Sequence, residues 1–270
     1  MHRVFLSILT CLFLPVAGAA QDLPANLVRV ELLPGWRTAD GKQMAALHLT
    51  LARGWKTYWR SPGDAGIPPA FDWSGSRNLK SVRLHWPRPE LFDLNGMTTV
   101  GYHDELVLPV EVTPADAARP VELRAEMAIG VCKDVCVPVS LRLAGTAEDP
   151  SQGAASAPAI RTALLHQPEA AKAAGVRGVR CTVDPIKDGL RLTAAIDMPP
   201  LGSDEFTVVE TANAGVWVAE AVSRRSAGTL TATADLVPQD AQPFALNRQG
   251  VRITVFGDSG RVVEINGCTG

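Results

Sequence analysis

An excess of one charge is missing from this chain. Its 26 lysines and arginines stand against 28 aspartates and glutamates, for a formal net charge of −2, and no basic run breaks that balance. Proteins that hold nucleic acid or an anionic membrane gather lysine and arginine on one face, so neither is expected as a partner. Long hydrophobic runs are also missing past residue 20. None approaches the roughly 20 apolar residues that cross a bilayer, which predicts no membrane anchor. Helical periodicity is almost absent, the hydrolase signature G-x-S-x-G does not occur, and no glycine loop is built to cradle a phosphate. No cofactor is expected.

The exception among the apolar runs is at the start. His2 and Arg3 precede an apolar run from Val4 to Val16 and the small residues Ala17-Gly18-Ala19-Ala20. This is the pattern of a cleaved secretory signal over residues 1–20, and it predicts an exported, periplasmic protein. Cys11 would leave with it. Four cysteines remain, Cys132, Cys136, Cys181 and Cys268, an even number in an exported chain, which points to disulfides. Four cysteines allow three connectivities. The simplest pairs Cys132 with Cys136 and Cys181 with Cys268.

Cys132 and Cys136 stand four apart in Gly130-Val131-Cys132-Lys133-Asp134-Val135-Cys136-Val137-Pro138. A bond needs their Cα atoms within roughly 7 Å, whereas an extended strand would part them by about 13 Å. The chain must therefore fold back, and the neighbouring valines and Pro138 favour a hairpin turn over Lys133-Asp134-Val135 to a helical one. Val121, Leu123, Ala125, Met127, Ile129 and Val131 alternate with polar or small residues before the turn. Val137, Val139, Leu141 and Leu143 do so after it, the period of half-buried strands. Both cysteines fall on the polar phase, so both sulfurs are expected off the core face, with open space beside Cys132 at Ala128 and Gly130. That placement suits a working thiol–disulfide pair better than a bracing one. Lys133 would favour a thiolate and Asp134 would oppose it.

The rest of the chain reads as an all-β protein. Short alternating runs separated by Pro, Gly and Asp turns predict two immunoglobulin-like β-sandwich domains. The first spans residues 21–145 and the second 177–270, with a linker and short helix at 146–176. The helix is expected over Ala159 to Ala174, Gly101 to Val112 is expected as one strand, and so is Val216 to Val222. Cys181 and Cys268 lie at the two ends of the second domain, where a bond would be structural. Before the hairpin, Trp55, Tyr58 and Trp59 lead into a Pro- and Gly-rich loop, and Tyr58 or Trp59 could lie over the cystine as a cap. Tyr102 and His103 could share the same edge. The rival chemistry is Cu(I), for which Cys132 and Cys136 with Met97 or His103 would supply soft ligands. Zinc would need a second ligand pair, which is lacking, and no metal is otherwise expected. A β-sandwich adaptor with two inert disulfides is the third reading. A thioredoxin-like engine is not expected, for want of a C-x-x-C.

Trp55-x-x-Tyr58-Trp59-x-x-Pro62-Gly63-Asp64-x-Gly66-x-Pro68, followed by Gly130-x-Cys132-x3-Cys136-x-Pro138, resembles the amino-terminal periplasmic part of the DsbD and ScsB disulfide reductases. The resemblance covers roughly Leu27 to Leu143, and the second β-domain is more loosely similar to the ScsB branch. It implies an immunoglobulin-like domain whose pair, matched by Cys132 and Cys136, relays electrons by thiol–disulfide exchange, a protein-disulfide reductase type of activity. The implied partners are thioredoxin-like periplasmic proteins, with recharging by a separate membrane reductase. A link to copper tolerance is a further expectation.

Overall fold

The computed structural model describes residues 26–63, 65–94, 96–149 and 151–270. The targeting segment 1–20 and Asp64 of the aromatic motif lie outside the described residues.

Ten strands precede residue 147: β1 (Val28–Arg37), β2 (Gln43–Leu51), β3 (Lys56–Tyr58), β4 (Ala70–Asp72), β5 (Leu79–Leu84), β6 (Glu90–Leu94), β7 (Met97–His103), β8 (Glu105–Pro114), β9 (Glu122–Cys132) and β10 (Cys136–Thr146). They form one antiparallel sheet in the order β1-β2-β8-β5 and another in the order β10-β9-β3-β7-β6, with β4 also on β9. Alternation decides which side faces in. Leu123, Ala125, Met127, Ile129 and Val131 of β9 are almost fully buried, while Glu122, Arg124, Glu126 and Ala128 are exposed. Each large apolar side chain so buried contributes about 1.5–3 kcal/mol, which resists a one-residue slip that would turn them all outward.

The run Gly101 to Val112 is two strands rather than one. Asp104 adopts a left-handed backbone (φ 56°), which aspartate tolerates better than most residues. The chain there passes from β7 in one sheet to β8 in the other. Its carboxylate accepts the Gly54 N–H, bracing the turn from outside. Local alternation continues through the corner, so it carries no sign of the change of sheet.

The expected linker is largely occupied. β10 runs to Thr146, and α1 (Gly153–Leu165) begins earlier than the expected helix and ends earlier too. Ile160 and Ala163 are buried, and Ile160 clusters with Met44, Ala46, Leu33, Trp36 and Leu164 on the outside of the first sheet. Gly153 lies so close to Gly35 that a Cβ would come within 2.3 Å of its carbonyl oxygen. Docking thus recruits the alanine-rich residues before Ala159, while Pro168 stops continuation after His166. Ala171 to Ala174, expected as helix, form a turn that ends at Gly175 (φ 77°).

Nine more strands follow: β11 (Glu169–Ala170), β12 (Gly178–Ile186), β13 (Gly189–Asp197), β14 (Glu205–Glu210), β15 (Val216–Val218), β16 (Val222–Ser226), β17 (Thr229–Pro238), β18 (Arg252–Gly257) and β19 (Val262–Asn266). Val216 to Val222 thus holds one whole short strand and the first residue of the next. The sheets are β11-β19-β18-β14 and β12-β13-β17-β15, with β16 on β17. The whole is all-β and immunoglobulin-like. Cys181 and Cys268 are bonded, with Cα atoms 5.8 Å apart, and both are buried in the second core.

The sheet β11-β19-β18-β14 is covered on both faces. Val209, Ile253, Val255, Val263 and Ile265 enter the second core. On the opposite phase, Phe206, Val208, Phe256 and Val262 join the core cluster of the first sandwich. Trp59, with no exposure, meets Phe256 edge-on with ring centroids 6.1 Å apart. A strand buried on both sides has no polar phase, which explains the apolar runs of β14 and β18. Around Phe206, Val208, Phe256 and Val262 the seam between the sandwiches is therefore apolar and continuous with a core.

Candidate functional site

The hairpin β9–β10 keeps an uninterrupted register from Thr146 opposite Glu122 to Cys136 opposite Cys132. The bond between Cys132 and Cys136 closes its last pair, with Cα atoms 4.1 Å apart. Directly opposed residues share a face, so the sulfurs can meet without a bulge. The turn Lys133-Asp134-Val135 is exposed, and the Lys133 N–H donates to the Val135 carbonyl at 3.1 Å.

The two sulfurs differ sharply in access. Cys136 is exposed, whereas Cys132 is only 1% exposed, although both lie on the phase opposite the core residues of β9. Of the space expected beside Cys132, the part at Gly130 is filled, while Ala128 is exposed. β3 lies along β9 with Lys56 opposite Cys132 and Thr57 opposite Val131, and the Tyr58 ring covers Gly130. A Cβ at Gly130 would stand 2.8 Å from Ile67 and 3.0 Å from that ring. Glycine is what allows both the close ring and the strand that carries it. Gly101, on the other side of β3, has a similar duty, because its Cβ would fall 2.1 Å from the Thr57 carbonyl oxygen.

Tyr58 reaches the cystine. Its hydroxyl lies 3.1 Å from Cys136 Sγ, and the side chain is otherwise buried. Burial pushes the Tyr58 phenol above its usual value, so it stays protonated at neutral pH and able to donate to sulfur. Trp59 does not face the pair but packs against Phe256 at the seam. Tyr102 lies on the core side of β7, stacked on Trp86, with its hydroxyl donating to the Pro87 carbonyl at 2.8 Å. His103 is exposed, opposite Lys56 in register; Nδ1 is 3.0 Å from a Glu90 carboxylate oxygen, and the ring meets Phe92 edge-on. Met97 stands at the far end of β7, six residues from His103 and so about 20 Å away along the strand.

Lys56 is a site residue the sequence reasoning passed over. It lies between Cys132 and His103 in one cross-strand row and is buried. Its Nζ donates to Thr99 Oγ1 at 3.1 Å and sits 4.8 Å from the centre of the Phe92 ring. Burial lowers its pKa. The signal for it was phase: Lys56 and Tyr58 are two residues apart in a strand and therefore share a face. Arg60 was passed over as well. It donates to both Glu210 carboxylate oxygens (2.8 and 2.9 Å) and to Glu264 (2.8 Å), and lies 4.0 Å from the centre of the Trp59 ring.

The chain has only two tyrosines, and burial raises the pKa of both, Tyr102 far more than Tyr58. An unfolded tyrosine is half ionised near pH 10. At that pH the native protein should show clearly less tyrosinate absorbance than the urea-unfolded chain. The unfolded state releases these protons first, so stability falls as pH rises through this range. Equal tyrosinate absorbance in the two states would contradict the buried placement of the rings.

The family model described as "Thiol:disulfide interchange protein DsbD, N-terminal" matches residues 29–148, which include β3, the hairpin and both of its cysteines. The fold is similar to the crystal structure of the N-terminal periplasmic domain of ScsB from Proteus mirabilis. Identity is 23% and the TM-score 0.61, over 91% of this chain and 95% of that one. Among curated proteins, none matches the chain by sequence. Among the described residues, no helix is long and apolar enough to cross a membrane. Residues 29–148 are thus similar to the N-terminal domain that the DsbD family model describes, and the fold is shared with the ScsB domain.

Proposed function

We propose that the protein is a periplasmic thiol–disulfide interchange protein that relays electrons through Cys132 and Cys136. The observation that carries this reading is the asymmetry of the pair, one sulfur exposed at a hairpin end and the other buried behind it. In the reduced form, the Cys136 thiolate attacks a sulfur of the partner's disulfide. A mixed disulfide forms and one partner thiolate leaves. Cys132 then attacks Cys136 Sγ, the internal bond closes, and the second partner sulfur leaves as a thiolate. Two electrons pass to the partner. Tyr58, held protonated, can donate to the Cys136 thiolate and favour that form.

On this reading residues 1–20 direct export, and residues 21–145 and 177–270 act as two domains. The exposed turn meets thioredoxin-like periplasmic proteins, and a separate membrane reductase recharges the pair. The test is the reduction potential of each disulfide, by dithiothreitol titration with thiol trapping and mass spectrometry. The Cys132–Cys136 pair should titrate well above about −300 mV while Cys181–Cys268 stays oxidised. Equal resistance of the two pairs would make both structural and overturn the proposal.

A further inference from the structure

The cover over Cys136 and the seam between the sandwiches are built from consecutive residues. Tyr58 touches Cys136 Sγ, Trp59 is sealed against Phe256, and Arg60 holds Glu210 and Glu264. We propose that Arg60 is a positioning residue, through which the second sandwich holds Tyr58 over the redox pair and sets how fast Cys136 can be attacked. This inference rests on the reading of Cys132–Cys136 as the exchanging pair.

The linkage is short and stiff. Arg60 is forked between two carboxylates, and its guanidinium carbon lies 4.0 Å from the centre of the Trp59 ring, so its position is held from both sides. The acceptors come from different strands of the second sandwich, Glu210 ending β14 and Glu264 within β19. Glu210 stands opposite Arg252 and Glu264 opposite Thr254, on the same face of the sheet as Phe256. The Trp59 N–H donates to the Val100 carbonyl at 3.0 Å, and the Val100 N–H to the Pro62 carbonyl at 3.0 Å. The backbone on either side of Arg60 is thereby pinned to β7. Arg60 and Tyr58 are only two residues apart, so they belong to one short segment of backbone held by the same contacts. Ile67, on the loop that leaves Arg60, closes the other side of the Gly130 cradle. The second sandwich therefore grips the segment that covers the site at the point where it leaves β3. If the grip loosens, the tyrosine can swing off the sulfur without any change to the hairpin.

The test is the rate at which dithiothreitol reduces Cys132–Cys136 in the full chain. One of its thiolates attacks Cys136 Sγ, Cys132 leaves as a thiolate, and the second thiol displaces Cys136 to give cyclic oxidised dithiothreitol. The isosteric double variant Glu210→Gln/Glu264→Gln should be reduced about tenfold faster than wild type, the size of an ordinary coupling between sites. Tyr58→Leu, which cannot reach Cys136, should speed reduction by a similar factor. Combining the three changes should add nothing further, because both routes remove one cover. Unchanged rates in the Glu210/Glu264 variant, or effects that multiply with those of Tyr58→Leu, would overturn the proposal.

A general packing defect would make Cys181–Cys268 reducible as well, so that pair serves as the internal control. If the double variant fails this control, Arg60→Lys, which keeps the charge but loses the fork, reads the same outcomes. Dithiothreitol reports access to the sulfur whatever the physiological partner is. The coupling can therefore fail while the potentials still mark an exchanging pair, and the reverse is equally visible.

Discussion

Serine at Cys136 should abolish exchange, and serine at Cys132 should stop it halfway. In Cys136→Ser the remaining sulfur is 1% exposed behind β3 and the turn. It can meet a disulfide only when this end of the sheet opens, and local opening of packed strands carries a substantial free-energy cost. Adduct formation with glutathione disulfide should fall by at least about 100-fold, as expected for an opening that costs a few kcal/mol. In Cys132→Ser the exposed Cys136 can still attack, releasing one glutathione thiolate, but nothing resolves the mixed disulfide. The wild-type protein closes its ring quickly because the second sulfur is already in place, an intramolecular step with high effective concentration. Mass spectrometry of native, alkylation-quenched samples should find a persistent glutathione adduct on Cys132→Ser, none on Cys136→Ser, and an internal disulfide in the wild type. Equal adduct yields on the two variants would remove the assigned asymmetry. A preference for Cys136→Ser would reverse the roles of the cysteines.

Loss of the other disulfide should have the largest effect on stability. Cys181 lies on β12 and Cys268 just beyond β19, 87 residues apart in sequence. The segment after β19 is also pinned by backbone hydrogen bonds, from the Cys181 N–H to the Thr269 carbonyl and from the Thr269 N–H to the Val179 carbonyl. The bond therefore fastens the last residues of the chain to the first long strand of the second sandwich. Freeing a loop of that length restores chain entropy to the unfolded state worth about 4–5 kcal/mol. Cys181→Ala/Cys268→Ala, which leaves no unpaired hydroxyl in the core, should lower the unfolding free energy by that order in urea titrations. A loss below about 1 kcal/mol would mean that packing alone holds these ends together. In the folded variant the Cys132–Cys136 bond should still exchange, since neither alanine touches the hairpin.

The legible parts of this chain were those governed by a period of two and by spacing. Alternation along β9 and β10 placed every core residue of the hairpin on one phase, because a strand must send neighbouring side chains to opposite faces. The four-residue gap between Cys132 and Cys136 required a reversal, since no extended chain lets such sulfurs meet. Sequence reasoning failed where the partner surface came from elsewhere. The exposed look of Cys132 was a matter of phase, but the space beside it at Gly130 belongs to Tyr58 and Ile67. The helix begins before its local pattern suggests because it is held against Gly35 and Met44, more than 100 residues earlier. Asp104 turned one apparent strand into two through a single backbone angle.

The sequence by itself determined the all-β architecture, the hairpin, its bonded cysteine pair and the resemblance that its motifs carry, because each depends on residues close together in the chain. Tertiary structure alone decided which sulfur is open, where the tyrosine lies, and how Trp59 and Arg60 are held by the second sandwich. Those depend on long-range packing: a buried face has no local pattern to announce what will cover it, and a charge such as Arg60 looks like surface until its carboxylates arrive from 150 and 204 residues away.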